Sequence, residues 1–492
     1  MRGGMMSTPL TITEIMRFAT RLYRDTEVIS VTADEGVHRS TYGTVFKRAN
    51  QVAHALGRLG VESSDRVATL AWNDHRHLEL YYGVSCSGAV LHTINPRLFP
   101  EQLAYIINHA DDRVVFFDPM FLPLIEELSD KLSSVSHFVV LTSKNKMPES
   151  SLLNLHCYED LISQDCSPYP WPELDETTAS ALCYTSGTTG HPKGAMMSHG
   201  AMMAQYQSCI CDLDYADTDR SLAALPLYHT AQLHAFTMPQ ILIGAYARLI
   251  ESPVPDIVLR LIEEERITSF FAPPTVWISL LRHEDFSKRN LSTLTKIYYG
   301  ASIMPGPVLE ELRNRLPQAG LYNVYGQTEI APAATVLRPE EHAERPSSAG
   351  RPILNVQTRI VDINMKDVPV GERGEIVHRS PQLLSGYWDK PAETSEAFIG
   401  GWFHSGDVGH MDEEGYIYIV DRMKDVINTG GILVASREVE EALFAHAAVS
   451  EVAVIGVPDE KWIEAISAVV VLREGMNATE ADIITHARES LA

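Results

Sequence analysis

The sequence predicts an α/β protein of at least two domains, a large one built on parallel-rich sheets covered by helices and a small α+β one at the end. Three observations predict it. Helix-periodic and strand-like segments alternate along most of the chain, the pattern of parallel strands joined by crossover helices. At 492 residues the chain is too long for one hydrophobic core. From Val434 onward the order becomes helix, strand, strand, helix, a module of different character.

In order along the chain, Ile12, Ile15, Met16, Phe18, Ala19 and Leu22 recur at helical spacing, and a second such segment runs from Tyr42 to Leu59 and stops at Gly60. Strands are predicted over 66–72, 89–94, 114–117 and 137–141, with a helix between the first two ending at Cys86. Residues 143–177, polar and broken by Pro148, Pro168, Pro170 and Pro172, read as a long surface connection. The alternation then resumes with strands over 179–183, 221–225, 269–272 and 296–300 and helices after His199, over 255–265 and over 306–316. Residues 358–377 read as short strands joined by a turn at Asp367–Gly374, a small β subdomain. The final module is predicted as a helix over 434–444, strands over 452–456 and 468–472, and a helix over 481–491.

A hydrophobic content of 45% and a charged content of 21% are those of a soluble globular protein. The formal charge of −24 argues against nucleic acid or an anionic membrane as partner. Six cysteines without a C-x-x-C pair point to a reducing cytoplasm rather than to disulfides or zinc. No signal peptide is expected, and no apolar run reaches the length of an integral membrane segment.

The densest chemical signal lies between Tyr184 and Gly194, where three glycines, four Ser/Thr hydroxyls and one lysine follow a buried strand. Glycines let backbone N–H groups converge on an anion, hydroxyls add donors or a metal ligand, and lysine adds a fixed charge. That describes a phosphate cradle. A flexible Ser/Thr/Gly linker would need no lysine after a proline and would not follow a strand so closely. No Walker spacing can be drawn through Gly187, Gly190 or Gly194, so a different nucleotide fold is indicated.

The stretch Thr185–Gly194 resembles the phosphate loop of the adenylate-forming superfamily of acyl-CoA synthetases, nonribosomal peptide adenylation domains and luciferases. The resemblance continues in family order through Tyr325-Gly326-Gln327-Thr328-Glu329, through Gly401-Trp402-Phe403-His404-Ser405-Gly406-Asp407 and through Asp421-Arg422-Met423-Lys424-Asp425. Residues 72–82 and 92–98 are similar to stretches of medium-chain acyl-CoA synthetases. The resemblance implies an N-terminal adenylation domain over 1–420, a hinge over 421–424 centred on Lys424, and a mobile C-terminal domain over 425–492. Family members continue into a segment closing with a Gly-Lys pair, so the C-terminal domain is expected to be incomplete.

The implied reaction uses ATP, Mg2+ and CoA to activate a medium- to long-chain fatty acid through an acyl-adenylate, with AMP and pyrophosphate released. Charge builds on phosphoryl oxygens, so the protein must position the reactants and stabilise that charge. Thr185, Ser186, Gly187, Thr188, Thr189, Gly190 and Lys193 are then expected on the β- and γ-phosphates, with Glu329 and Thr188 as magnesium ligands and Thr328 on the α-phosphate. Tyr325 with Gly326 and the Gly300-Ala301-Ser302 turn would flank adenine, while Asp407 and Arg422 would hold ribose. His229 matches the family's gate beside the carboxylate, with Thr230, Phe236, Trp277, Tyr299 and Ala331 as candidates for the acyl pocket. Gly430 and Gly431 match the segment brought to the CoA tunnel. A homodimer is a further expectation. Competing readings are an aryl-acid CoA ligase, a module that delivers its adenylate to a carrier protein, and a degenerate nucleotide-binding homologue.

Overall fold

The computed structural model describes residues 8–491 apart from 33, 35, 186–190, 424, 430, 431, 460, 461 and 474. Two large sheets dominate the described residues. One has nine strands in the order Arg351–Pro352, Ala333–Leu337, Gly320–Gly326, Lys296–Gly300, Ser269–Phe271, Arg220–Ala223, Tyr246–Leu249, Glu27–Thr32, Gly36–Thr41. From Gly320–Gly326 to Glu27–Thr32 its strands are parallel. The other has eight strands in the order Gly386–Tyr387, Lys193–Ser198, Ala179–Thr185, Val90–Thr93, Arg66–Leu70, Asp112–Phe117, His137–Val140, Leu155–Cys157. Lys193–Ser198 runs antiparallel to both its neighbours, and the six strands from Ala179–Thr185 onward are parallel.

A layer of helices, Ile12–Leu22, Tyr42–Arg58, His75–Cys86 and His199–Asp212, joins the sheets. One core shows it, since Val28 and Leu249 of the first sheet and Leu91 and Ala195 of the second pack with Phe46, Tyr82 and Met202 of these helices. Burial on all sides leaves every residue of His75–Cys86 inside, its charges included. They are tolerated because each is paired: Arg76 Nη1 with Asp34 Oδ1 at 3.0 Å, and Glu79 with Arg48 at 2.6 Å and the Tyr158 hydroxyl at 2.7 Å. Asp74 caps the helix by accepting from the His77 N–H.

Helices Pro255–Glu264, Pro274–Arg282 and Gly306–Arg315 cover the outer face of the nine-stranded sheet, and Pro100–Ala110 and Leu122–Leu128 that of the eight-stranded one. Trp277 sits within the first of these outer cores, with its indole N–H donating to the Tyr298 carbonyl at 3.3 Å. Trp277→Ala should therefore destabilise the protein by about 3–5 kcal/mol, read as a shift in the urea midpoint at unchanged slope.

Two small antiparallel sheets complete the fold. Gln357–Val361, Gly374–Arg379, Phe403–Met411 and Ile417–Arg422 form one. Ile432–Val434, Ile427–Thr429, Ile463–Leu472 and Val449–Asp459 form the other, packed by helices Ser436–Phe444 and Glu480–Ser490. One sequence expectation needs correction, and one strand is added. The supposed surface connection over 143–177 contains strand Leu155–Cys157, which extends the eight-stranded sheet, and helix Tyr158–Ile162. Both are too short to show a period. The residues from Lys193 to Ser198, which had no assignment, form a strand antiparallel to Ala179–Thr185. Among the described residues no helix is long and apolar enough to cross a membrane.

Candidate active site

Open parallel sheets gather ligands at the carboxyl ends of their strands. Three candidate site residues stand at such ends: Thr185 in one sheet, and Gly300 and Gly326 in the other. The phosphate-loop candidate starts in strand Ala179–Thr185 and ends in strand Lys193–Ser198, which pair antiparallel up to Thr185 and Lys193. Ser186, Gly187, Thr188, Thr189 and Gly190 lie outside the described residues, as do Lys424, Gly430 and Gly431.

Beyond the ends of Lys296–Gly300 and Gly320–Gly326 opens a cavity of 920 Å3. Gly300, Ala301, Ser302, Tyr325, Gly326, Asp407 and Arg422, drawn from four separate stretches of sequence, all line it. The C-terminal module closes the opposite wall with Arg437, Phe444 and Ser450. That wall is tied to the large domain by Arg282 Nη1, which donates to Ser450 Oγ at 2.9 Å.

Close approach explains both glycines at the cavity floor. A Cβ on Gly300 would lie 2.1 Å from the Val324 carbonyl oxygen, and one on Gly326 would lie 1.8 Å from that of Pro332. Ala301 and Ala331 are held at φ 64° and 72°, the left-handed region that L residues seldom occupy. Such strain clusters where backbone must be placed for a ligand.

Asp407 is 5% exposed. Its Oδ2 accepts from the Tyr325 hydroxyl at 2.7 Å, and Arg422 Nε approaches Oδ1 at 3.4 Å. Burial raises its pKa, against the lowering by Tyr325 and Arg422. A partly desolvated carboxylate of this kind is a strong acceptor for vicinal hydroxyls.

A second polar cluster joins strands Ala179–Thr185 and Lys193–Ser198 to the turn Thr328–Ile330. Thr185 Oγ1 donates to Glu329 Oε1 at 3.4 Å, and the Tyr387 hydroxyl donates to the same oxygen at 3.0 Å. Lys193 Nζ stands 4.5 Å from the centre of the Tyr387 ring. Thr328 Oγ1 lies 3.2 Å from Thr230 Oγ1. A buried carboxylate beside a threonine hydroxyl is an all-oxygen donor set, which fits magnesium and not a soft metal.

The acyl-pocket candidates do not share one slot. Tyr299 and Trp277 pack in the outer core of the nine-stranded sheet, where the Tyr299 hydroxyl pairs with His342 Nε2 at 3.0 Å. Phe236 is on the other face, stacked on Phe271 at 3.8 Å, and Ala331 belongs to the core between the sheets. The physical reason is strand alternation, which sends Tyr298 and Tyr299 to opposite faces. His229 is exposed beside Tyr228, just ahead of a π-helical turn, Ala231–Thr237, that carries Phe236.

Tyr387 escaped the sequence reading. A lone tyrosine in a two-residue strand has no periodic or motif signal, and only its contacts with Glu329 and Lys193 mark it.

A glycine-floored cavity and an oxygen-rich cluster on this fold suit a nucleotide-using enzyme, and comparison with known proteins gives the class. Residues 17–388 match the model of the AMP-binding enzyme family and residues 438–492 that of its C-terminal domain. The chain belongs to the AMP-binding enzymes, the adenylate-forming superfamily. It is 36% identical to 3-methylmercaptopropionyl-CoA ligase of Ruegeria lacuscaerulensis, over 98% of this chain and 92% of that protein. It is 34% identical to medium-chain-fatty-acid–CoA ligase of Ectopseudomonas oleovorans, over 100% and 92% of the two chains. The structure superposes with a TM-score of 0.89 on the anthranilate CoA ligase AuaEII in complex with anthranoyl-AMP, at 27% identity over 100% of this chain and 93% of the other.

Proposed function

We propose that the chain is an ATP-dependent acyl-CoA synthetase that activates a medium- to long-chain fatty acid and passes it to CoA. The observation that carries this reading is the junction of the two clusters. The Asp407–Tyr325 cavity suits a nucleoside, and one turn of chain from it the Thr328–Glu329–Thr185–Lys193 cluster suits a triphosphate.

In this reading Tyr325 and the Gly300–Ser302 turn flank adenine, and Asp407 accepts from the ribose hydroxyls with Arg422 beside it. Lys193 and residues 186–190 bind the β- and γ-phosphates, and Glu329 with Thr188 would hold magnesium. The metal, when bound, neutralises charge on the phosphates and fixes their orientation. Thr328 donates to the α-phosphate. A carboxylate oxygen of the acid, admitted past His229, attacks the α-phosphorus as its bond to pyrophosphate breaks. The CoA sulfur then attacks the acyl carbon and AMP leaves, with Gly430 and Gly431 assigned to the CoA side. Binding of all three reactants in one geometry supplies most of the rate.

The fatty-acid assignment rests on the resemblance of residues 72–82 and 92–98 to medium-chain enzymes and on similarity to proteins named for medium- and long-chain fatty acids. Free cysteines at all six positions fit a cytoplasmic enzyme. The substrate class is tested by kcat/KM for AMP release with octanoate, palmitate, 3-methylmercaptopropionate, benzoate and ferulate. Highest values for octanoate or palmitate support the reading, and preference for an aryl or sulfur-containing acid replaces it.

Asp407→Ala is expected to raise KM for ATP about tenfold or more with a smaller change in kcat, the worth of a hydrogen bond to a charged group. Steady-state kinetics with ATP varied checks it.

A further inference from the structure

We propose that Tyr387 is a positioning residue that keeps Glu329 and Lys193 apart and separately aimed. This deepens the function proposed above and rests on it. Glu329 and Lys193 carry opposite charges on neighbouring segments, and if they paired, each would cancel the other's value to a phosphate or a metal. Among the described residues they form no ion pair. Instead the Tyr387 hydroxyl engages Glu329 Oε1 at 3.0 Å, while the face of its ring receives Lys193 Nζ at 4.5 Å. One side chain holds the anion by its edge and the cation by its face.

A tyrosine hydroxyl carries its proton at neutral pH, so at 3.0 Å it is a donor to the Glu329 carboxylate. The Tyr387 backbone is fixed from both sides. Tyr387 pairs with Ala195, and Ser385 and Trp388 N–H groups donate to the Met196 and Gly194 carbonyls of strand Lys193–Ser198, both at 2.8 Å. On the other side the Leu384 N–H donates to the Glu329 carbonyl at 2.9 Å, and Gln382 Nε2 donates to that of Ile330 at 3.0 Å. The segment from Gln382 to Trp388 is thus a strap laced to strand Lys193–Ser198 along one edge and to the Thr328–Ile330 turn along the other. The two clusters of the site keep their spacing through it.

The test is calorimetric titration of the wild-type chain, Tyr387→Phe and Tyr387→Leu with ATP, in the presence of magnesium and in EDTA, beside thermal unfolding of each. Tyr387→Phe keeps the ring over Lys193 and loses the bond to Glu329. It should bind Mg-ATP about tenfold more weakly while binding free ATP within about twofold of wild type, at nearly unchanged Tm. Tyr387→Leu loses both contacts and should weaken free ATP as well. A Tyr387→Phe variant that binds Mg-ATP as wild type does overturns the proposal. So does a loss that is equal with and without magnesium, or one that follows Tm across both variants. If wild type binds no ATP in either condition, the synthetase reading itself fails, an outcome distinct from equal binding by wild type and variant.

Discussion

Replacing Glu329 by glutamine is expected to lower ATP–pyrophosphate exchange by about 10²–10³ with the fold intact, the usual cost of removing one preorganised charge from a reacting centre. The substitution conserves volume and leaves an amide oxygen to accept from Thr185 and Tyr387, so the two bonds at Oε1 can persist. What disappears is the negative charge, and with it the attraction for magnesium at a site that is 8% exposed. Exchange measured at saturating ATP and increasing magnesium, with thermal unfolding as control, checks this. A loss below tenfold at low magnesium would place the metal elsewhere.

Gly326→Ala should be as damaging by a different route. The added Cβ meets backbone on both approaches, the Pro332 oxygen at 1.8 Å and the Ala334 nitrogen at 2.9 Å. Backbone cannot rotate away as a side chain would. Gly326 stands at the irregularity where its strand pairs with Ala333, so relief requires the 326–333 loop to move, and Thr328 and Glu329 move with it. Misplacement by an ångström is enough to cost about 10² in rate, and the clash about 1–3 kcal/mol in stability. Exchange kinetics and urea unfolding report the two effects. Gly57→Ala is the contrasting control: it lies within helix Tyr42–Arg58 with nothing within 4 Å of its Cβ, and should gain about 0.5–1 kcal/mol.

How much of this is legible in the sequence depends on what kind of signal each feature leaves. Helix Tyr42–Arg58 and strand Lys296–Gly300 follow from apolar periodicity and from a run of β-formers, and the structure places both within a residue of the predicted bounds. Strand Lys193–Ser198 is not legible, because a lysine, a glycine, an alanine and two methionines carry little β preference; its partner strand and the strap at Gly386–Tyr387 make it a strand. The site divides in the same way. That Gly300, Tyr325, Asp407 and Arg422 face one cavity could be anticipated only through the resemblance of their motifs, since chain separations of this size leave no local trace. Trp277 and Tyr299 look like pocket residues by composition, but aromatic identity does not say which face of a buried strand or helix meets a ligand, and their partners turn out to be core. Tyr387 is the converse case, a residue whose importance lies wholly in what folding brings to it.

A chain that joins an acid to CoA at the expense of ATP cleaved to AMP is tested by its product balance with octanoate, Mg-ATP and CoA: octanoyl-CoA, AMP and pyrophosphate quantified together over one time course. All three are expected in equal amounts, and omitting the acid should abolish pyrophosphate release. Formation of ADP and phosphate in place of AMP, or AMP release without any thioester across the whole panel of acids, would contradict this reaction.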